Sequence, residues 1–543
     1  MTVQPVDFDL LDGLLRWLLV FASFVATFTI VAVATSIPLY GKSGPGRVIR
    51  GAIQGFTDVF ALSPRRVFAI AQLAFRESIR RKALLVFVVF AALFMFGGWF
   101  MEADEARPDL HLRNLVAFVF FAMSWLVLPI VVLLSCWGLP EDIRLRSLHT
   151  VVTKPARRSE VVLGRMLGFS AIGTVIILLM SVVGYGWIMR HVTEDASLFC
   201  RVPVYGKVSF LDRIGQPADK GVNVGDIVMT RSFIEGGTKA AAIWQFPIDQ
   251  ESDQLTIESR FEAFRTWKGN MNRSLQVRFT LVNEETDLRV PLPAYEVNEF
   301  GFNEQVVSRN LEVTDEQTLE TSKVDLFEDL VVPYDAEKHA GVTGDASVGV
   351  LTLQAQCLDR SQYIGLSPGD CFLRIADRNF AVGYTKATVG LWLQCVLFVV
   401  IAVTASCFVK FPVAFVLTSS VGIVGTFAYS FLQDVVSGVQ KGGGAIESIY
   451  RLVTHMNETT TLPDNTFIKA MQVFDSVLVE LLGVVRYVIP DLNLFGMSEW
   501  LAKGFDVPWN GVLLPAAAIT FGYFLPCLLL GYFSLRLREL EAK

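Results

Sequence analysis

Seven stretches of this sequence run for about 20 residues, the length needed to cross the hydrocarbon core of a bilayer, without one Asp, Glu, Lys or Arg. They are Trp17 to Ile37, Ala83 to Phe100, Leu115 to Leu139, Met166 to Ile188, Ala387 to Val409, Phe411 to Leu432 and Gly511 to Leu535. All 47 basic and 53 acidic residues lie outside them, with Lys410 alone between the fifth and sixth. Hydrocarbon imposes that segregation, because a charge at the bilayer centre costs several kcal/mol. The composition agrees, with 18% charged residues and a mean hydropathy of +0.46, where a soluble chain carries about a quarter charged. A net charge of -6 excludes a nucleic-acid binder that relies on a cationic field.

Alternating the loops across the membrane separates the charges. The segments Pro38 to Lys82, Pro140 to Arg165, Lys410 and Arg536 onward hold 19 basic and 7 acidic residues, and the others hold 28 and 46. Short cytoplasmic loops retain Lys and Arg, so the first set is expected in the cytoplasm, with the N-terminus outside and the C-terminus inside. Asp7, Asp9 and Asp12 precede the first run, which reads as an uncleaved span rather than a signal peptide.

The expected organisation is an extra N-terminal span over 1–40, then a cytoplasmic linker and interfacial elbow helix over 41–82. A first transmembrane part over 83–188 holds spans at 83–100, 115–139 and 166–188, with an inner loop at 140–165. An outer β domain follows over 189–386, a two-span hairpin over 387–432, an outer or interfacial helical segment over 433–510, and a last span with cytoplasmic tail over 511–543. In the outer domain Leu275, Val277, Phe279 and Leu281 alternate with polar residues, as do Leu351, Leu353, Ala355 and Cys357, the period of half-buried strands. A sandwich or jelly roll is expected. Trp244, Trp267 and Tyr295 are either a sugar-stacking platform or, more commonly for such aromatics, core. Of the external cysteines, Cys200, Cys357 and Cys371 leave room for one bridge of undetermined pairing. In 433–510, Phe467, Met471, Phe474, Leu478, Leu481 and Val485 share a helical face, either at the outer interface or packed against protein.

Several catalytic patterns fail. Gly41-Lys42-Ser43 ends like a phosphate loop, but Ser36 stands where its leading glycine belongs and a span precedes it. Gly365-Leu366-Ser367-Pro368-Gly369 matches a nucleophile elbow, yet Pro368 has no N–H for an oxyanion hole, so it reads as a turn. The five histidines show no zinc spacing. No metal, cofactor or catalytic group is proposed in this chain.

On the inner side, Pro64 to Lys82 reads as a basic amphipathic helix. Val67, Ile70, Leu73, Ala74 and Ile79 form its apolar stripe, and Arg65, Arg66, Arg76, Arg80, Arg81 and Lys82 face lipid headgroups. In the loop LPEDIRLRSLHTVVTKPARRSEVVLGRMLG (Leu139 to Gly168), Pro140 is expected to break the third span. Glu141 and Asp142 start a short helix with Leu145, Leu148 and Val152 on its apolar side, Lys154-Pro155 ends it, and Ser159-Glu160 opens the next span.

This segment resembles the loop that carries the coupling helix in ABC-2-type ABC transporter permeases. It resembles especially the branch associated with multicopper-enzyme maturation and related to the nitrous-oxide-reductase maturation permease. The matching features are Glu141-Asp142-Ile143, Thr150, Thr153-Lys154-Pro155, Arg158, Glu160, and Leu163-Gly164-Arg165 leading to Leu167-Gly168. Removing the first span leaves six in the family's order, with an elbow helix first, a tight inner turn between the fourth and fifth, and Ile489 to Phe495 before the last. The extra span and the large outer domain depart from the pattern.

The resemblance implies an α-helical polytopic protein with an ABC-2-type six-span core, one extra N-terminal span and an inserted extracytoplasmic all-β domain. It would sit in the cytoplasmic (inner) membrane as a permease subunit, inert as an enzyme alone. A separate cytoplasmic ATPase would bind ATP and Mg, and a second permease copy or a pseudo-symmetric partner would complete the dimer. Glu141, Asp142, Arg144, Arg146, Leu148, His149, Thr150, Lys154 and Pro155 are the expected ATPase-coupling residues. Export is favoured over uptake, and the substrate is open. The competing expectations are a membrane-anchored binding or sensing protein acting through its β domain, and a membrane enzyme working on lipid or glycan.

Overall fold

The computed structural model describes residues 8–41, 44–80, 85–100, 108–144, 157–192, 198–218, 221, 232–248, 253–264, 274–298, 302–314, 321–335, 349–437, 444–457, 460, 462–463, 465 and 466–541. The chain divides into two compact units. One comprises Leu198–Val382 and Gly504–Asp506 and is built of strands. The other comprises Pro5–Ser197, Gly383–Lys503 and Val507–Lys543 and is helical.

The helices are α1 (Leu10–Tyr40), α2 (Gly44–Phe60), α3 (Pro64–Arg80), α4 (Leu85–Phe100), α5 (Pro108–Arg144), α6 (Arg158–His191), α7 (Phe380–Phe408), α8 (Phe411–Ile423), α9 (Tyr429–Val436), α10 (Ala445–Thr454), α11 (Thr466–Val488), α12 (Met497–Ala502) and α13 (Leu514–Glu541). Among the described residues, six helical stretches are long and apolar enough to cross a membrane: Leu10–Pro38, His111–Glu141, Arg158–His191, Phe380–Phe408, Phe411–Val436 and Trp509–Arg536. This is an integral membrane protein. The seventh apolar run is seen as α4, 16 residues long, about 24 Å at 1.5 Å per residue; the residues flanking it lie outside the description.

Several helices outrun their apolar stretches. α5 has 37 residues and α6 has 34, about 55 and 51 Å, against a hydrocarbon core of about 30 Å. The expected break at Pro140 does not occur, since α5 continues through it to Arg144. A proline so close to a C-terminus removes one backbone donor and leaves the rest of the ladder intact.

α7 is the most enclosed span, with Leu397, Val399, Val400, Ala402, Val403 and Cys407 all at 0% exposure. Lipid tails are as apolar as leucine, so helices in a bilayer are held by close packing and interhelical hydrogen bonds rather than by the hydrophobic effect. α7 is bonded on several sides. Trp392 Nε1 donates to Thr174 Oγ1 at 2.8 Å, and the Tyr384 hydroxyl donates to the Ser181 carbonyl at 2.9 Å. Thr404 Oγ1 donates to the Cys527 carbonyl at 3.3 Å, and Ser534 Oγ donates to the Cys407 carbonyl at 2.8 Å.

The strand unit is antiparallel throughout its described ladders. One sheet orders Phe199–Tyr205, Cys371–Asn379, Gln254–Ser259 and Asn303–Ser308. A larger one orders Tyr295–Val297, Leu275–Val282, Gly349–Cys357, Ala241–Ile248, Lys207–Leu211 and Pro217–Ala218. Both feed one core, with Leu255, Ile257 and Leu373 from the first and Phe246, Phe279, Leu281, Leu351 and Leu353 from the second. The Ser259 hydroxyl bonds the Tyr295 hydroxyl at 2.9 Å across them. The strand Gly349–Cys357 departs from its alternating sequence, for Thr352 and Gln354 are also buried. It is central, flanked by Ala241–Ile248 and Leu275–Val282, and side chains on both of its faces are buried.

Trp244 has 0% exposure and stacks on Phe261 at 5.8 Å between centroids, so it belongs to the core and not to a sugar platform. Trp267 lies outside the described residues. All seven cysteines are buried free thiols. Burial pushes the Cys357 thiol up to about 11 and Cys371 higher still. Ser367 sits in the expected turn, its N–H donating to Asp370 Oδ2 at 2.7 Å. In the smaller sheet Glu258, wholly buried, is held between Arg201 at 2.9 Å and Arg374 at 3.4 Å. Gly504–Asp506 belongs to this unit: the Arg201 N–H donates to the Gly504 carbonyl, and the Asp506 N–H donates to the Arg201 carbonyl.

Candidate functional site at the base of the helical unit

The segment that resembles a coupling loop begins at the last turn of α5 and ends at the first turn of α6. Glu141, half-buried, lies in that last turn. Asp142 and Arg144 continue the same helix. Arg146, Leu148, His149, Thr150, Lys154 and Pro155 lie outside the described residues. What the structure does give is the anchorage of the loop at its return.

That anchorage is centred on Glu160, in the first turn of α6 with 0% exposure. Its Oε2 accepts the Arg157 N–H at 2.9 Å, closing the start of the helix on itself. Its Oε1 accepts the Ser63 N–H at 2.9 Å and faces Arg66 Nη2 at 2.9 Å. A buried carboxylate is tolerated only with such a set of donors. One side chain therefore ties the end of the loop to the start of α3.

The helices then stay in register. Val67 and Ile70 meet Gly164, and Ala71 and Ala74 meet Gly168. An added Cβ on Gly164 would lie 2.7 Å from the Ile70 Cβ, and one on Gly168 would lie 2.6 Å from the Ala71 carbonyl oxygen. Two glycines four residues apart leave a flat strip where another helix can approach, and Ala71, Ala74 and the buried Ser78 supply the matching small face of α3.

α3 carries three stripes. Val67, Ala74 and Ser78 are buried. A second, exposed apolar side has Phe68 at 70% and Ile79 at 41%. Arg65, Arg76 and Arg80 occupy a third, exposed stripe. Of the five expected elbow arginines, these three face outward and Arg66 instead binds Glu160; Arg81 lies outside the described residues. The expected apolar stripe is split: Val67 and Ala74 are buried on the side packed against α6, whereas Leu73 and Ile79 are exposed.

A second tie runs through Asp58, at the end of α2. Its carboxylate faces Arg157 Nη1 at 3.3 Å and accepts the Tyr532 hydroxyl at 2.8 Å, and its carbonyl accepts from Ser159 Oγ at 3.1 Å. Arg536 of α13 donates to the Gly51 carbonyl at 3.1 Å and to Gln54 Oε1 at 3.2 Å. The residues on either side of the loop's return, Arg157, Ser159 and Glu160, are thus bonded to α2, α3 and, through Asp58, the last helix.

Sequence reading missed α2 as a helix and Asp58 and Tyr532 as a pair. They lie 474 positions apart, and no local signal joins them. The four-residue spacing of Gly164 and Gly168 was a usable signal for the α3–α6 contact. Among the described residues no group of three His, Cys, Asp or Glu side chains is placed to hold a metal ion. No protein-family model matches the chain, and no curated protein matches it.

Proposed function

We propose that this chain is the transmembrane subunit of an ABC transporter, with residues 140–156 docking in a separate cytoplasmic ATPase that binds ATP and Mg. The observation that carries the reading is the clasp around Glu160. A loop between two long spans returns to a helix start that is buried, charged and bonded directly to α2 and α3, a construction able to pass a push at the loop into the spans. The sequence resemblance of that loop to ABC-2-type permeases supports the same reading, as does the cationic α3 beside it, placed at the inner face of the cytoplasmic membrane by the positive-inside rule.

In this account Glu141, Asp142, Arg144, Arg146, His149 and Lys154 meet the ATPase, and Leu148, Thr150 and Pro155 shape the loop. Two permease copies, identical or pseudo-symmetric, enclose the path, and cargo leaves the cytoplasm. Co-expression with each ABC ATPase of the same genome and purification through a tag on this chain tests the proposal. A stoichiometric ATPase is expected with the wild type and is lost when Glu141→Lys and Arg146→Glu are combined. Recovery of a folded chain with no ATPase overturns it.

A further inference from the structure

After α11 the chain does not remain at a membrane surface. The Val488 carbonyl accepts the Tyr523 hydroxyl at 2.9 Å, and the Leu492 N–H donates to the Gly425 carbonyl at 3.2 Å. Gly425 lies in the π-turn Val424–Ala428 between α8 and α9, about 21 Å along the axis from Phe411, and Tyr523 lies about 20 Å from Arg536. The Ser534 to Cys407 bond puts the Arg536 end level with the turn that leads into Phe411. Two independent contacts therefore place Val488 to Leu492 about 20 Å from one end of spans that cross a core of about 30 Å. Gly425 is needed there, because a Cβ on it would come within 2.6 Å of the Pro490 carbonyl oxygen.

At this depth the backbone from Ile489 to Gly496 is irregular apart from the single turn Asn493–Phe495. Such backbone survives inside a membrane only where protein buries it or water reaches it. Its side chains are arranged for water. Leu492 and Phe495, each 4% exposed, face the bundle, whereas Asn493 is exposed and Asp491 is partly exposed. The Asp491 carboxylate accepts the Asn493 N–H at 3.0 Å and lies in the field of the Arg486 guanidinium of α11. A turn resting against lipid would bury its polar pair and expose its apolar one, since an ionised carboxylate in hydrocarbon is strongly unfavourable.

We propose that Asp491 and Asn493 line a water-filled vestibule within the membrane layer and that the Asp491 carboxylate makes it selective for cationic over anionic solutes. The inference rests on the membrane-protein reading alone and stands whether or not an ATPase binds the loop.

The test is thiol accessibility in the full-length protein in proteoliposomes, where the seven native thiols are buried and give a silent background. Asn493→Cys is reacted with membrane-impermeant methanethiosulfonates, one carrying a trimethylammonium group and one a sulfonate. Phe427→Cys, in the same π-turn and 76% exposed, is the lipid-facing control at equal depth. Relative to the two reagents' rates with a free thiol in solution, the cationic one is expected to gain on the order of tenfold over the anionic one at Asn493→Cys, and adding Asp491→Asn should remove that gain. An Asn493→Cys as inert as Phe427→Cys overturns the vestibule. A rate ratio no greater than with a free thiol, unaffected by Asp491→Asn, overturns the role of the carboxylate.

Discussion

Replacing Glu160 by alanine removes an acceptor from two backbone N–H groups, those of Ser63 and Arg157, and the ion partner of Arg66. An orphaned buried donor costs about 1–3 kcal/mol. The Arg66 side chain is 40% exposed, so its share of the ion pair is screened and worth about 1 kcal/mol or less. Both backbone donors are only part-buried, so each is taken at the low end of its range, about 1 kcal/mol, and with the ion pair the total for Glu160→Ala is about 3 kcal/mol. Glu160→Gln keeps one acceptor oxygen and loses the charge, for about half of that. At roughly 2 °C per kcal/mol for a large chain, the apparent melting point in detergent should fall by about 6 °C for alanine and about 3 °C for glutamine. The assay is intrinsic tryptophan fluorescence during a temperature ramp, run on both variants beside wild type. An alanine variant within 1 °C of wild type, or a glutamine variant as damaged as alanine, would refute the reasoning.

Gly168→Ala should destabilise by about 1–3 kcal/mol because its Cβ meets the Ala71 backbone, whereas Gly186→Ala, with open space at its Cβ, should be neutral or stabilising by up to about 1 kcal/mol; opposite shifts in melting point check this. In the strand unit, the Arg309 guanidinium at 2.8 Å and the Phe327 N–H hold the Asp325 carboxyl below its ordinary range. A depressed carboxyl contributes stability above its unfolded pKa and loses it as the pH falls through the folded value. Asp325→Asn should therefore flatten the acid limb of the stability curve below about pH 4, read by thermal melts across pH. Thiol alkylation at pH 8 should label no cysteine in the folded protein and all seven after denaturation without reductant, counted by intact mass; fewer than seven would show a disulfide.

The membrane spans were legible because hydrocarbon excludes charge residue by residue, and the strands because Leu275 to Leu281 alternate as a half-buried surface must. The depth of Asp491 was not legible. Its distance from the apolar runs marks it as a surface residue, and only the contacts of Val488 and Leu492 with the middles of two spans bring it inward. Pro140 misled because a proline signals a break locally, whereas α5 continues through it to Arg144. At the base of the helical unit, Glu160 could be named from its place after Ser159 at a helix start. Its partners Ser63 and Arg66 could not, because they arrive through packing of α3 on α6. Trp244 already read more readily as core than as a sugar platform, and its pairing opposite Leu353 and its full burial place it inside.

The central claim, that the loop after α5 engages an ATPase, is tested most directly by a photocrosslinking amino acid placed at His149 in the full-length chain co-expressed with its candidate ATPase. The account predicts a covalent product whose mass is the sum of permease and ATPase, strongest without nucleotide hydrolysis and absent when the crosslinker is moved to exposed Ile214 of the strand unit. A crosslink from His149 only to lipid or to a second copy of this chain would contradict it.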